Sequence, residues 1–128
     1  MNPALRQRVR QRAHECCENC GVRQEDEAWS LFHIEHVLPL KHGGADSLEN
    51  LALACQHCNL HKGPNLSGID PVSGGMVRLF DPRKDAWAAH FTQVGPEIIG
   101  LTEVGRTTVV VLKMNARPRL ELRSAAAD

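Results

Sequence analysis

His33-Ile34-Glu35-His36-Val37-Leu38-Pro39-Leu40, then Gly43-Gly44, then Leu48-Glu49-Asn50-Leu51, then Cys55-Gln56-His57-Cys58-Asn59-Leu60-His61-Lys62-Gly63 is the stretch whose reading decides the fold. It sets an acid beside a histidine, follows them with a glycine turn and an asparagine, and closes on a paired-cysteine knuckle. A second pair, Cys17-x-x-Cys20, lies upstream, with thirty-four residues between Cys20 and Cys55. Two such knuckles offer four thiolates, enough for a closed tetrahedral zinc site with Zn–S distances of about 2.3 Å and no position left open for substrate. A site of that kind is structural. Unrelated buried cysteines and a rubredoxin-like iron site are the other readings of the same spacing. Cys16 falls in the wrong register for the knuckle and reads as a buried or spare thiol.

Around this stretch the chain is short. Its 128 residues suit one domain with a modest core. In so small a core, metal binding can contribute on the order of 10 kcal/mol to folding. The longest apolar runs, such as Val109 to Leu112, fall well short of the roughly 18 to 20 residues a membrane span needs, and the Arg-rich start has no apolar stretch behind it. The expectation is a cytoplasmic protein with reduced thiolates, no membrane association and no obligate protein partner. Fifteen Lys and Arg balance fifteen Asp and Glu, which argues mildly against a nucleic-acid binder. The distribution softens that argument, because Arg6, Arg8, Arg10 and Arg12 open the chain and Lys113, Arg117, Arg119 and Arg123 crowd its last quarter. Solvated helix faces are the plain alternative for both clusters.

Pro3 and the breaker-free run Ala4 to His14 predict a helix that delivers Cys17 and Cys20, with Gly21 as the turn. Ala28 to Val37 suits a short strand carrying Glu35 and His36, and Pro39 with Gly43-Gly44 forces a loop. Ser47 caps a brief helical turn through Leu51, and the second knuckle opens a helix or turn that Gly63-Pro64 ends. Asn65 to Gly75 reads as loop, so residues 1–66 form a core and 67–128 a supporting extension of the same domain. In that extension Met76 to Phe80 reads as a strand, Asp81-Pro82 starts a short helix through His90, and Phe91 to Leu101 makes a hairpin about Gly95-Pro96. Val109-Val110-Val111 favours a strand by propensity. The spacing of Leu101, Val104, Thr108, Val111, Leu112 and Asn115 favours a helix capped by Thr102, and helix is the reading preferred here.

Glu35, His36, Asn50, Asn59 and His61 are the residues between and just after the knuckles that can carry chemistry. Hydrolysis of a phosphodiester needs a base for the attacking water, which a neutral imidazole suits. It also needs the leaving oxygen neutralised, which a divalent cation on a carboxylate and an amide or imidazole can do.

Cys-x-x-Cys, Ile-Glu-His-Val-x-Pro-Leu, His-Gly-Gly-Ala-Asp, Leu-Glu-Asn-Leu and Cys-x-x-Cys-Asn-x-x-Lys-Gly together resemble the HNH endonuclease family. The resemblance covers roughly Arg12 to Gly63. The continuation from Gly63-Pro64 to Gly100-Leu101-Thr102 is similar to short standalone bacterial HNH proteins, many of them cyanobacterial. The fold it implies is α+β: a zinc-stapled ββα-metal core, treble-clef-like, with a C-terminal hairpin and helix extension. It implies DNA as substrate and leaves RNA open, with structural Zn²⁺ on Cys17, Cys20, Cys55 and Cys58 and catalytic Mg²⁺ or Mn²⁺. It assigns His36 as the general base, Glu35 and Asn59 as metal ligands, and Asn50 as the residue fixing the loop that orients the base. Glu35 replaces the family's commoner aspartate, and Asn59 stands where the family's name puts its last histidine. His61 is a second or substitute ligand candidate. Lys41, Lys62 and His33 are candidate phosphate contacts, with a core or surface histidine as the plainer reading of His33. His42 and His57 read as surface residues. A non-catalytic zinc module that binds nucleic acid or protein is the competing class. So short a chain has little room for base readout, so weak specificity dominated by backbone contacts is expected.

Overall fold

The computed structural model describes residues 1–127. Helix α1, Pro3–Arg12, starts where Asn2 accepts the Ala4 amide and proline occupies the first turn, and it ends with Arg10 and Arg12 on the negative end of the helix dipole. It stops two residues earlier than the sequence predicts. His14 and Glu15 take left-handed backbone, φ 54° and 57°, and turn the chain into the first knuckle.

The central unit is strand β1 (His33–His36), strand β2 (Leu51–Ala54) and helix α2 (Gln56–Lys62). β1 and β2 pair antiparallel, with Glu35 opposite Ala52 and His36 opposite Leu51. This is the ββα arrangement the resemblance implies, inside a mixed helix and strand fold. Two local expectations are corrected. The expected strand from Ala28 contracts to four residues because the segment before His33 is held as a turn, with the Ser30 amide donating to Glu27 O and the Gln24 side chain bonding Ser30 O and the Phe32 amide. The helical turn expected through Leu51 is a reverse turn closed by Asn50 N–H donating to Ser47 O, and Leu51 opens β2. β2 is wholly buried, so its face shows no alternation that could announce a strand.

The first knuckle docks on β2 through Glu18, whose amide donates to Leu53 O and whose carboxylate accepts the Leu53 amide, both at 2.8 Å. Arg10 and Arg12 reach across from α1 to the carbonyls of Phe32, Leu48 and Leu51. Val9, Phe32, Leu51 and Leu53 then share one core with the four paired cysteines.

Beyond Pro64 the expected loop contains a strand. β3 (Ser67–Ile69) pairs with β4 (Met76–Arg78) as a hairpin. Arg78 leads through turns to a single helical turn, α3 (Trp87–His90), shorter than the helix expected from Asp81. The hairpin β5 (Phe91–Val94) and β6 (Glu97–Gly100) turns at Gly95 as predicted. Helix α4 (Glu103–Val111) begins at Thr102, whose hydroxyl accepts the Gly105 amide, so the helical spacing prevails over the β-branched run. Gly105 is required there, because a Cβ would lie 2.0 Å from His90 O. Helix α5 (Arg117–Ala126) closes the chain. It corrects one expectation about charge: Lys113 and Arg117 are exposed, but Arg119 and Arg123 are buried. No helix among the described residues is long and apolar enough to cross a membrane.

Candidate active site and metal centre

Cys17 and Cys20 come from the loop after α1, and Cys55 and Cys58 from the junction of β2 with α2. Their sulfurs all lie within 4.8 Å of one another, and each residue is at most 2 % exposed. Cys55 is also the N-cap of α2, its sulfur accepting the Cys58 amide. Burial pushes the Cys17 thiol well up, whereas the hydrogen bond from Cys17 pulls Cys20 well down. Four thiols packed this closely cannot all ionise without a cation, and four buried sulfurs within 4.8 Å of one another are a donor set suited to zinc. Cys16 stands apart from the cluster, half-buried with its thiol toward His14 O.

Across the ββα unit, Glu35, His36 and Asn59 line one open cleft of about 260 Å³, floored by Ile34 and walled by Pro39, Leu40, Gly63 and Pro64. Glu35 is 4 % exposed, and its Oε1 accepts the Asn19 side-chain amide at 2.9 Å. Burial pushes its carboxyl up, opposed by the Lys62 ammonium and by the Asn19 hydrogen bond. His36 Nε2 lies 2.5 Å from Asp46 Oδ1, and that hydrogen bond holds the Asp46 carboxyl below its ordinary range. Among the described residues, the Asn59 side-chain amide has no hydrogen-bond partner, which leaves its oxygen available to a cation.

Asn50 stands at the far end of the loop between β1 and β2. Its Oδ1 accepts the Leu38 amide at 2.8 Å, and its Nδ2 donates to Leu38 O and Ala45 O, each at 3.0 Å. Its own carbonyl accepts the Val37 amide. One side chain thus cross-ties both limbs of the loop. Gly44 makes that closure possible, since a Cβ there would sit 1.7 Å from Leu38 O.

The remaining expected residues divide. His33 is exposed on β1, and strand alternation gives it the same side as Glu35. Lys41 is exposed in the 3₁₀ turn Leu40–His42, next to the cleft wall. Lys62 is 5 % exposed, with Nζ 3.4 Å from His36 O and 3.2 Å from Val37 O, so its ammonium ties down the end of β1 instead of meeting solvent. His61 is about 200° around α2 from Asn59 at 100° per residue. Its ring lies 4.4 Å from that of His57, which itself meets Lys113 O, and burial together with His57 holds it below the ordinary histidine range. Asn59, not His61, shares the cleft with Glu35 and His36.

Nothing in the sequence singles out Asn19, and Asp46 figures there only as the last residue of His-Gly-Gly-Ala-Asp, with no role of its own. Asn19 lies between two cysteines, where a polar residue reads as knuckle surface, yet it is 2 % exposed. Asp46 lies in the glycine-rich loop, ten residues from the histidine it touches. No local spacing announces either contact.

A ββα unit carrying a four-cysteine cluster on one side and an acid, histidine and amide cleft on the other is the architecture of a ββα-metal nuclease. Residues 17–65 match the family model described as HNH endonuclease. Over 69 residues the chain is also 30 % identical to the type IV methyl-directed restriction enzyme EcoKMcrA of Escherichia coli (strain K12). That alignment takes in 50 % of this chain and 25 % of the relative, so the chain spans only about a quarter of the relative's length. No solved structure matches the chain significantly.

Proposed function

We propose that this chain is a metal-dependent endonuclease that hydrolyses DNA phosphodiester bonds. The observation that carries the reading is the convergence of Glu35, His36 and Asn59 on one cleft, beneath a loop cross-tied by Asn50. His36 is the general base. Asp46 accepts from Nε2, which fixes the tautomer with Nδ1 as the basic nitrogen that takes the proton of the attacking water. Glu35 and Asn59 are the residues that would hold a catalytic Mg²⁺ or Mn²⁺, which would supply Lewis-acid neutralisation of charge developing on the phosphodiester. Asn19 aims the Glu35 side chain at the cleft, and Asn19 and Lys62 oppose the upward shift that burial imposes on its carboxyl. The exposed His33 and Lys41 contact the DNA backbone.

Residues 1–66 form the nuclease core and 67–128 a supporting extension of the same domain. Three contacts support their being one domain: the Arg83–Glu18 ion pair, Trp87 Nε1 donating to Asn19 O at 2.7 Å, and the buried Arg119–Glu27 pair. Each runs from the extension to the knuckle or its flank.

The test is cleavage of supercoiled plasmid by the full chain with Mg²⁺ or Mn²⁺, with and without EDTA, on methylated and unmethylated DNA. Metal-dependent nicking is expected. A chain that binds zinc and DNA yet cuts with neither metal is the non-catalytic zinc module instead.

A further inference from the structure

The zinc cluster has a neighbour from the opposite end of the chain. Arg119, on α5 and outside the family-matched segment, directs Nη1 to Glu27 Oε2 at 2.7 Å, and Nη2 to Glu27 Oε1 at 2.9 Å and to Cys55 Sγ at 3.3 Å. The two charged side chains are only 8 % and 5 % exposed. A buried ion pair needs no sulfur to complete it, so the third contact calls for its own account.

Zn²⁺ bound by four thiolates carries a formal charge of −2, and Glu27 adds another negative charge beside it. Unpaired charge buried at that density is costly. The structure sets two guanidinium groups against it, one turn apart on α5. Arg123 is 6 % exposed, bonds Pro96 O at 2.6 Å and Met114 O at 2.7 Å, and lines the same pocket as Cys20. Arg119 supplies the direct N–H···S bond. An N–H donor on a ligating thiolate withdraws charge from the sulfur and fixes its direction, and loss of a partner of this kind typically lowers metal affinity by about 10- to 100-fold.

We propose that Arg119 is part of the zinc site: its guanidinium stabilises the metal-bound Cys55 thiolate, with Glu27 holding the fork in place. The C-terminal helix is then a component of the metal centre. This rests on zinc occupying the four-cysteine cluster and is independent of the nuclease assignment.

The experiment measures zinc affinity of the full chain by competition with a chromogenic chelator, in wild type, Arg119→Met, Arg119→Lys and the double variant Glu27→Gln/Arg119→Met, with circular dichroism at saturating zinc as the check on folding. The double variant removes both charges and leaves no buried carboxylate unpaired. Affinity lower by about 10- to 100-fold in both the Met single and the double variant is expected, because the sulfur has lost its donor in each. Wild-type affinity in the double variant would overturn the proposal and leave Arg119 as a counter-charge for Glu27 alone. Should the Met variants fail to fold at saturating zinc, Arg119→Lys decides: it keeps the charge but loses the fork, so weakened binding supports the proposal and unchanged binding overturns it. A wild-type chain that is folded and holds no zinc removes the four-cysteine reading itself, an outcome visible before any variant is made.

Discussion

Asn19, flanked by the two cysteines of the first knuckle, donates its side-chain amide to Glu35 Oε1 at 2.9 Å, and both residues are almost fully buried. Its backbone carbonyl is held in turn by Trp87 Nε1. The zinc knuckle therefore does more than staple the fold, because its own turn residue sets the direction of the carboxylate at the cleft. Asn19→Ala is expected to lower metal-dependent cleavage by about 10- to 100-fold while zinc content stays at one per chain. Cleavage rate and zinc content measured on the same preparation check this, and a full rate with the amide gone would remove the link.

The two carboxyls at the site respond to pH in opposite senses. Burial raises Glu35, so its proton competes with a divalent cation at a pH above the ordinary carboxylate range. The Mg²⁺ or Mn²⁺ concentration giving half-maximal cleavage should rise as pH falls through that window, and more steeply than an exposed glutamate would produce. Without a cation the raised group costs stability above its folded pKa, and protonation relieves that cost as pH falls. Asp46 is lowered by His36. Its stabilising contribution is present above the unfolded carboxylate pKa and is lost only as pH falls through the lower folded value. Metal titrations at several pH values check the first statement, and their flatness in Glu35→Gln would point to the Glu35 carboxyl as its cause.

Asn50→Ala removes three hydrogen bonds from the loop between β1 and β2 and leaves the Leu38 amide without its acceptor. A loss of roughly 1–3 kcal/mol in denaturant unfolding is expected, together with a fall in cleavage larger than the fraction unfolded accounts for. Asn50→Asp, which keeps the acceptor for Leu38 but loses both donated bonds, should recover only part of the stability.

Cys58→Ser takes one ligand from the cluster and with it the N-terminal half of the fold, since Cys58 lies in the same core as Val9, Phe32 and Leu53. Metal-linked folding energies on the order of 10 kcal/mol exceed what so short a chain retains without its metal. The variant is expected in the insoluble fraction or as an unfolded chain by circular dichroism. A soluble, fully active Cys58→Ser protein would refute a four-cysteine zinc site.

What the sequence disclosed followed from how local each signal is. Cysteine pairs announce their chemistry by spacing, and the helical period of α4 prevailed over the propensity of Val109-Val110-Val111 because one face buries Val104, Thr107 and Thr108. β2 carries little local signal because Leu51-Ala52-Leu53-Ala54 is buried on both faces, and β3 is read as loop because Ser67-Gly68-Ile69 gains its strand character from pairing with β4. Lys62, Arg119 and Arg123 read as surface charge, yet each is buried against carbonyls, a carboxylate or a sulfur that comes from another part of the chain. Glu35, His36, Asn50 and Asn59 were legible as a motif. The contacts that aim them, from Asn19 and Asp46, depend on tertiary structure alone.

The central claim is that His36 activates the water, and the measurement that tests it most directly is plasmid nicking by His36→Ala against wild type at equal zinc content and equal folded fraction. The account predicts that nicking with Mg²⁺ or Mn²⁺ falls by at least about 100-fold, as expected on removal of a general base, while the melting transition and zinc content are preserved. Nicking by a folded His36→Ala protein at the wild-type rate would contradict it.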